Sequence, residues 1–336
     1  MIDAGGKALK AEILKLLRES EDYISGQKLC DKLGVSRTAV WKVIQKLQEE
    51  GYQVEAVRNR GYRIAKSPDV VSREELESLL LKKTKWAGQK ICYFAETDST
   101  NIQAKRLGEE GAPHGTLVVA DKQNAGRGRR GKGWESPSGH SVYMTLLLRP
   151  EIPPVKAPML TLVMAYSVAE GLRFAAGVDA RIKWPNDIVL HGKKLVGILT
   201  EMSTEIDFIN HVVIGVGINV NMDSFPEEIA DTATSLKIET GQVQKRGPLI
   251  VEILRRFEKN YETYLKTEDL SGLREAYNHL LVNCEREVQI LGARDSYRAV
   301  ALGINDGGEL LVKKEDGSVE AVYAGEVSVR GIYGYV

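Results

Sequence analysis

Apolar and polar positions divide the chain into three regions of different period. In the first, Leu9, Ile13, Leu16 and Leu17 recur at helical spacing, and a second short helix runs from an N-cap at Ser25 through Leu29 to Leu33 before Gly34 ends it. A third starts from a Ser36 cap and carries Val40, Val43, Ile44 and Leu47 as one apolar stripe, closed by Gly51. Two strands, 52–57 and 62–64, follow around Arg58-Asn59-Arg60-Gly61. Three helices and a hairpin in this order predict a winged helix-turn-helix over residues 1–66.

From residue 67 the pattern mixes periods. Ser67-Pro68 reads as a linker and 72–83 as a charged helix. A strand at 91–95, a helix at 102–109, strands at 116–120 and 141–148, and a mostly apolar helix at 160–176 come next. A hairpin is expected with strands 188–190 and 195–200 joined at 191–194, then a buried strand at 212–220. Residues 222–236 lack a period and contain Pro226, a length that marks functional loops. Helices from Pro248 to about 266 and over 270–281 close a central α+β domain, 67–282. In 283–336, the stretches 288–291, 297–304, 309–313, 318–323 and 327–329 alternate apolar and polar around Asn-Asp-Gly-Gly and Glu-Asp-Gly turns, which predicts a small β-barrel. The expected fold class is therefore α/β, multidomain.

Composition adds a charge asymmetry. The 336 residues are 43% hydrophobic and 27% charged with zero formal net charge, an ordinary globular balance. Residues 1–66, however, hold 13 Lys and Arg against 9 Asp and Glu, a surplus of +4 that points to a polyanion. The outer face of the third helix presents Arg37, Thr38, Trp41, Lys42 and Gln45, and the hairpin tip presents Arg58 and Arg60. Charge in those places meets phosphates and base edges, so the module is read as DNA-binding, with a dimer on a paired operator. A protein-interaction module with solvated lysines is the alternative. Cys30, Cys92 and Cys284 are too few and too far apart for a disulfide framework or a zinc site. With no signal peptide and no apolar run judged long enough to span a bilayer, a cytoplasmic location without membrane is expected.

The densest chemistry lies at 126–139, where four cations and four glycines occupy the nine residues from Gly126 to Trp134. The stretch imitates two phosphate-loop patterns, but Gly133 stands where a Mg²⁺-binding hydroxyl belongs and no helix follows. Strand, basic glycine loop, strand is the reading, with backbone N–H groups and guanidinium forks available to an anion. A disordered Arg-Gly segment that binds RNA is the alternative. Thr97-Asp98-Ser99-Thr100-Asn101 puts small polar side chains at a helix start, which suits a carboxylate or an ordinary cap. Arg181 to Asp187 concentrates cations and a carboxylate, with Lys183 and Trp184 equally readable as an exposed strand lysine and a core aromatic. Gly215 and Gly217 permit close approach in a strand that ends at Asn219, and His191 is assigned no chemistry.

Taken together, D-S-T-N at 98–101, G-R-G-R-R-G-K-G-W at 126–134, K-W-P-N-D at 183–187, K-L-V-G-I at 194–198 and G-V-G-I-N at 215–219 resemble the bacterial bifunctional biotin protein ligase and biotin operon repressor family, in its order and over essentially the whole chain. The family commonly has Arg where Lys132 stands, which keeps charge but loses the planar fork. The resemblance implies a ligase domain of the biotin/lipoate type, an SH3-like C-terminal domain, and a two-step reaction. Biotin and ATP give biotinyl-5′-adenylate, which a lysine of the biotin carboxyl carrier protein of acetyl-CoA carboxylase then attacks.

By the same resemblance, Lys194, Arg129 and Arg127 carry catalysis. Ser99, Thr100, Asn101, Gln123, Gly128 and Gly197 join them around biotin, and Arg129, Arg130, Trp134, Lys183, Asn219 and Arg330 serve ATP and its adenylate. Asp187 positions Mg²⁺. The resemblance also implies an adenylate-dependent homodimer on operator DNA. A non-catalytic sensor of a small carboxylate and a lipoate ligase are the competing functions.

Overall fold

The structure, a computed structural model, describes residues 4–20, 22–291, 296–323, 328–331 and 335–336, with backbone alone for 4–7, 130 and 328–331. It forms two compact units, Met1–Thr84 with Lys245–Val251 and Lys85–Gln244 with Glu252–Val336.

In the first unit α1 (Ala4–Glu19), α2 (Gly26–Leu33) and α3 (Arg37–Glu49) close around Ile13, Leu14, Leu17, Leu29, Val40, Ile44 and Leu47. Ser25 caps α2 by accepting from the Lys28 N–H, and Ser36 caps α3 by accepting from the Ala39 N–H. The wing is β1 (Gln53–Val57) paired antiparallel with β2 (Gly61–Lys66). Ile24 and Tyr62 exchange backbone hydrogen bonds of 2.9 Å, tying the wing to the segment before α2. At Gly61, φ is 108° and a Cβ would lie 2.0 Å from the Ile24 carbonyl oxygen, so only glycine fits. α4 (Arg73–Leu80), capped by Ser72, packs on α1 through a buried carboxylate. One Glu75 oxygen meets Arg18 at 2.6 Å and the other accepts from the Tyr52 hydroxyl at 2.6 Å. Partners on both oxygens are what make a buried carboxylate tolerable. Residues 245–251 belong to this unit through Arg246, whose Nε reaches Asp69 at 2.9 Å.

The second unit begins with β3 (Ile91–Thr97), α5 (Thr100–Glu109), β4 (Thr116–Gln123), β5 (Ser141–Leu148), α6 (Met159–Ala176), β6 (Arg181–Lys183), β7 (Asp187–Leu190), β8 (Lys193–Thr204) and β9 (Ile209–Asn219). Its seven-stranded sheet runs β3-β4-β5-β9-β8-β7-β6, and of the strand pairs in it only β3 with β4 is parallel. α5 packs on it where Ala104 meets Val118, Leu147 and Val213. Residues 222–236 hold the short α7 (Glu227–Ala230) and lead to α8 (Leu236–Thr240), α9 (Arg246–Thr267) and α10 (Arg274–Leu280). Then β10 (Arg286–Leu291), β11 (Ser296–Ile304), β12 (Leu310–Lys313), β13 (Val319–Val322) and β14 (Ser328–Gly331) make an antiparallel sheet ordered β13-β12-β11-β10-β14. Val327, expected in the last strand, lies outside the described residues.

Two expectations need correction. The turn placed at 191–194 is only His191-Gly192, whose φ values of 48° and 80° make the two-residue turn that fits strand twist. Lys193 and Lys194 are therefore already on β8, paired with Leu190 and Val189. Second, the helix over 154–176 is long and apolar enough by length and composition to cross a membrane, against the expectation of none. Of the apolar window in this helix, 61% is buried inside the structure, and its Leu160, Val163, Val168 and Leu172 are core residues. Arg181–Lys183, for which the pattern predicts no element, is a strand too short to show a period of its own.

Candidate functional site

The basic glycine loop folds back on itself between β4 and β5. Gly128 N–H bonds the Lys132 carbonyl at 2.7 Å, Trp134 N–H bonds that of Gly126 at 2.9 Å, and Arg129–Gly131 form a 3₁₀ turn between them. Its base is tied to β3, where Asn124 N–H reaches the Thr97 carbonyl at 2.8 Å and Ala125 N–H that of Asp98 at 2.9 Å. No α-helix follows, as the reading against a phosphate loop requires. Gly197 and Gly217 lie opposite each other on β8 and β9 and form a floor for Trp134. A Cβ on either would come within 2.9 and 2.8 Å of the indole. The indole Nε1 is buried without a hydrogen-bond partner among the described residues.

Beneath the loop is a cavity of about 700 Å³. Ser99, Thr100, Asn101, Gln123, Arg127, Gly128, Arg129, Lys132, Trp134, Asp187, Lys194, Gly197 and Asn219 line it, so most of the expected site residues share one wall system. At the α5 end Ser99 stands in the N-cap position but makes no capping bond; Gln123 Oε1 instead takes the Thr100 N–H at 2.9 Å. Thr145 Oγ1 bonds Thr100 Oγ1 at 2.9 Å and Asn101 Oδ1 at 2.7 Å. Asn101 Nδ2 donates to Glu201 at 2.8 Å, and Glu201 meets Lys105 at 2.6 Å. A Cβ on Gly215 would lie 2.1 Å from Asn101 Oδ1. The two β9 glycines thus admit Asn101 and Trp134 of the same chain. Burial alone pushes the Glu201 carboxyl up, but hydrogen bonds from Lys105 and Asn101, with the charges of Lys105 and Arg127, bring it below its ordinary value.

The cationic end is organised around β7 and β8. Lys194 Nζ pairs with Asp187 Oδ1 at 2.7 Å and lies 5.5 Å from the Trp134 ring. Arg129 donates to Asn186 Oδ1 at 2.8 Å, and Asn186 in turn donates to the Ile198 carbonyl at 3.0 Å. The 222–236 segment pins the Lys194 backbone, with Lys194 N–H on the Thr232 carbonyl at 2.7 Å and Thr234 N–H on the Lys194 carbonyl at 2.9 Å. Asn219 bonds the same segment at the Thr234 carbonyl, 3.1 Å.

Lys183 is only 6% exposed, and its Nζ lies 3.3 Å from the Tyr335 ring centroid; it is not an exposed strand lysine. Trp184 is a core aromatic, bonded through Nε1 to the Gly308 carbonyl at 3.0 Å. Arg330 pairs through its backbone with Gln289, while its side chain and that of Arg130 lie outside the described residues. Among the described residues no three His, Cys, Asp or Glu cluster as a metal cage. Asp187, with partners on both oxygens, is a single carboxylate, which suits an ion that arrives on a nucleotide's phosphates and keeps its water. Residue reading assigned no role to Asn186, Thr145, Glu201, Leu291 or Tyr335. Of these only Asn186 stood inside a quoted motif.

In the first unit, Arg37, Thr38, Trp41, Lys42 and Gln45 are exposed on α3, and Arg58 on the wing. A notch of about 450 Å³ lies between them, lined by Gln27, Arg37, Arg58 and Asn59. Arg60 is more engaged: it pairs with Asp22 at 2.7 Å and its guanidinium sits 4.6 Å from the Tyr23 ring centroid.

A cation-rich loop over a cavity floored by interior strands of the sheet, in a chain that also carries an exposed recognition helix and wing, defines a ligase joined to a DNA-binding module. Family models agree by region: an HTH domain matches residues 10–63, the biotin/lipoate A/B protein ligase family residues 93–219, and the biotin protein ligase C terminal domain residues 284–330. The bifunctional ligase/repressor BirA of Bacillus subtilis is 43% identical over 324 residues, covering 96% of this chain and 98% of that one. Its Escherichia coli counterpart is 31% identical, covering 95% of this chain and 96% of the other. The solved biotin protein ligase of Aquifex aeolicus in complex with biotin and ATP is 31% identical with a TM-score of 0.64, covering 72% of this chain and 99% of that one. The chain belongs to the biotin protein ligase family, in its bifunctional ligase/repressor form.

Proposed function

We propose that this chain makes biotinyl-5′-adenylate in the cavity under the glycine loop, passes biotin to a carrier lysine, and uses the adenylate as corepressor. The observation that carries the reading is the convergence of Arg127, Arg129 and Lys194 on one cavity with Trp134 as its lid. In the first step a biotin carboxylate oxygen attacks the α-phosphorus and pyrophosphate leaves. Two anions are brought together, so the chain must supply cations and N–H donors rather than a nucleophile of its own. A biotin carboxylate is already ionised at neutral pH, and no base is needed to activate it.

Lys194 bridges carboxylate and α-phosphate, while Arg127 and Arg129 hold the growing charge with Gly128 giving backbone access. Ser99, Thr100, Asn101 and Gln123 hold biotin, with Gly197 beneath it. Asn219, Lys183, Arg130 and Arg330 serve the nucleotide, and Trp134 covers it. Asp187 would be the protein ligand for Mg²⁺, which would screen the polyphosphate charge of ATP. In the second step the carrier's amine attacks the acyl carbon and AMP leaves. Closure by the loops at 126–139 and 222–236 keeps water from the mixed anhydride.

The work divides at 1–66, 67–282 and 283–336. The acceptor is a biotin carboxyl carrier protein, and the chain works in the cytoplasm. Adenylate binding favours a homodimer that grips a paired operator, which requires tighter adenylate binding to the dimer-competent state. With biotin, ATP and a carrier domain, the purified chain is expected to release pyrophosphate and label the carrier, and lipoate is expected to compete poorly. No labelling would remove the enzyme, and preference for lipoate would move it to the other branch of the family.

A further inference from the structure

Tyr335 lies beyond the C-terminal family match, which ends at residue 330, and no sequence motif marks it. It lines the cavity nonetheless, and its side chain touches two charged residues of the cationic end. The ring covers Lys183 Nζ, 3.3 Å from the centroid. The hydroxyl donates to Asp187 Oδ2, while Asp187 Oδ1 holds Lys194 Nζ at 2.7 Å.

A lysine is a flexible point charge, and a single carboxylate that can rotate holds it in a range of places rather than one. A phenol on the second carboxylate oxygen removes that rotation, so Lys194 inherits the fixed orientation of Asp187. The ring acts separately. Lys183 is withdrawn from water, and a π face attracts a desolvated ammonium more strongly than an exposed one. We infer that Tyr335 is a positioning residue of the adenylation centre, fixing Lys194 through Asp187 with its hydroxyl and holding Lys183 toward the nucleotide with its ring. This rests on the roles given to Lys194 and Lys183 in the proposed function.

The test is single-turnover formation of biotinyl-5′-adenylate by the full chain. Tyr335→Phe keeps the ring and is expected to slow the saturated rate by about tenfold with the ATP KM unchanged, the scale of one hydrogen bond to a charged group. In an Asp187→Ala background the same substitution is expected to cost less than about twofold, since the hydroxyl has lost its acceptor. Tyr335→Leu is expected to raise the ATP KM as well, by about tenfold. A wild-type rate for Tyr335→Phe, or full additivity with Asp187→Ala, overturns the hydroxyl's role; equal ATP KM values for the Phe and Leu variants overturn the ring's. Lys194→Ala is run beside them. A wild-type rate there sinks the adenylation reading itself, whereas a slow Lys194→Ala with a wild-type Tyr335→Phe sinks the positioning role alone.

Discussion

Lys194 is placed by three separate constraints: β8 pairing, two backbone hydrogen bonds from the 222–236 segment, and the ion pair with Asp187. A side chain held so closely is suited to meet charge that grows during a reaction, where removal of one preorganised donor costs about 100-fold or more. Lys194→Ala and Arg129→Ala are therefore expected to slow adenylate formation by about 100-fold while the cooperative unfolding transition is retained; quench-flow and thermal melts read the two effects. Glu201 carries a pH prediction. Its carboxyl is held below the ordinary value, so its contribution to stability is complete above the unfolded-state pKa of about 4.3 and is lost as pH falls through the lower folded value. The stability difference between wild type and Glu201→Gln should therefore shrink on acidification from about pH 6 to about pH 3, as denaturant titrations at each pH would show. Arg127 and Arg129 were legible in the sequence because charge packed among glycines has no place in a core, and Lys194 only through the resemblance of its K-L-V-G-I stretch to the family. Glu201, Thr145 and Tyr335 were not, because strand register and the path of the tail bring them to the site and no local pattern announces either.

Among the elements, the loop and its glycine floor act as a pair. The sequence showed that something approaches β9 closely at Gly215 and Gly217, but not that Asn101 and Trp134 of the same chain do so. Gly217→Ala is expected to push the indole off its seat, costing about 1–3 kcal/mol of overpacking and raising the biotin Kd. In a Trp134→Ala background the same substitution should be nearly silent, and isothermal titration of the four proteins measures the difference. The two helices of the helix-turn-helix were readable down to their caps, because Ser25 and Gly34 mark the ends of α2 and Ser36 the start of α3. The three-residue β6 was not, since a period of two needs more residues to show. On the wing, Arg58→Ala should weaken operator binding and reduce the salt dependence by about one phosphate contact, measured across a salt series. Arg60, already paired with Asp22 and stacked on Tyr23, should show the smaller effect.

Across the whole molecule, a chain with zero net charge keeps its positive surplus at the DNA-binding end, and that division was visible in composition. The apolar stretch at 154–176 shows the limit of composition, because only the fold reveals that most of it is core. In the proposed function the two ends are joined, since adenylate made under the glycine loop is to govern binding by the winged helix. Operator affinity of the full chain at one fixed salt, with and without biotin and ATP, for wild type and Lys194→Ala, tests this. Wild type is expected to bind more tightly with biotin and ATP, and Lys194→Ala to fail to respond to them yet respond to preformed biotinyl-5′-adenylate. Equal affinity of the wild type in both conditions, or a full response of Lys194→Ala to biotin and ATP, would contradict it.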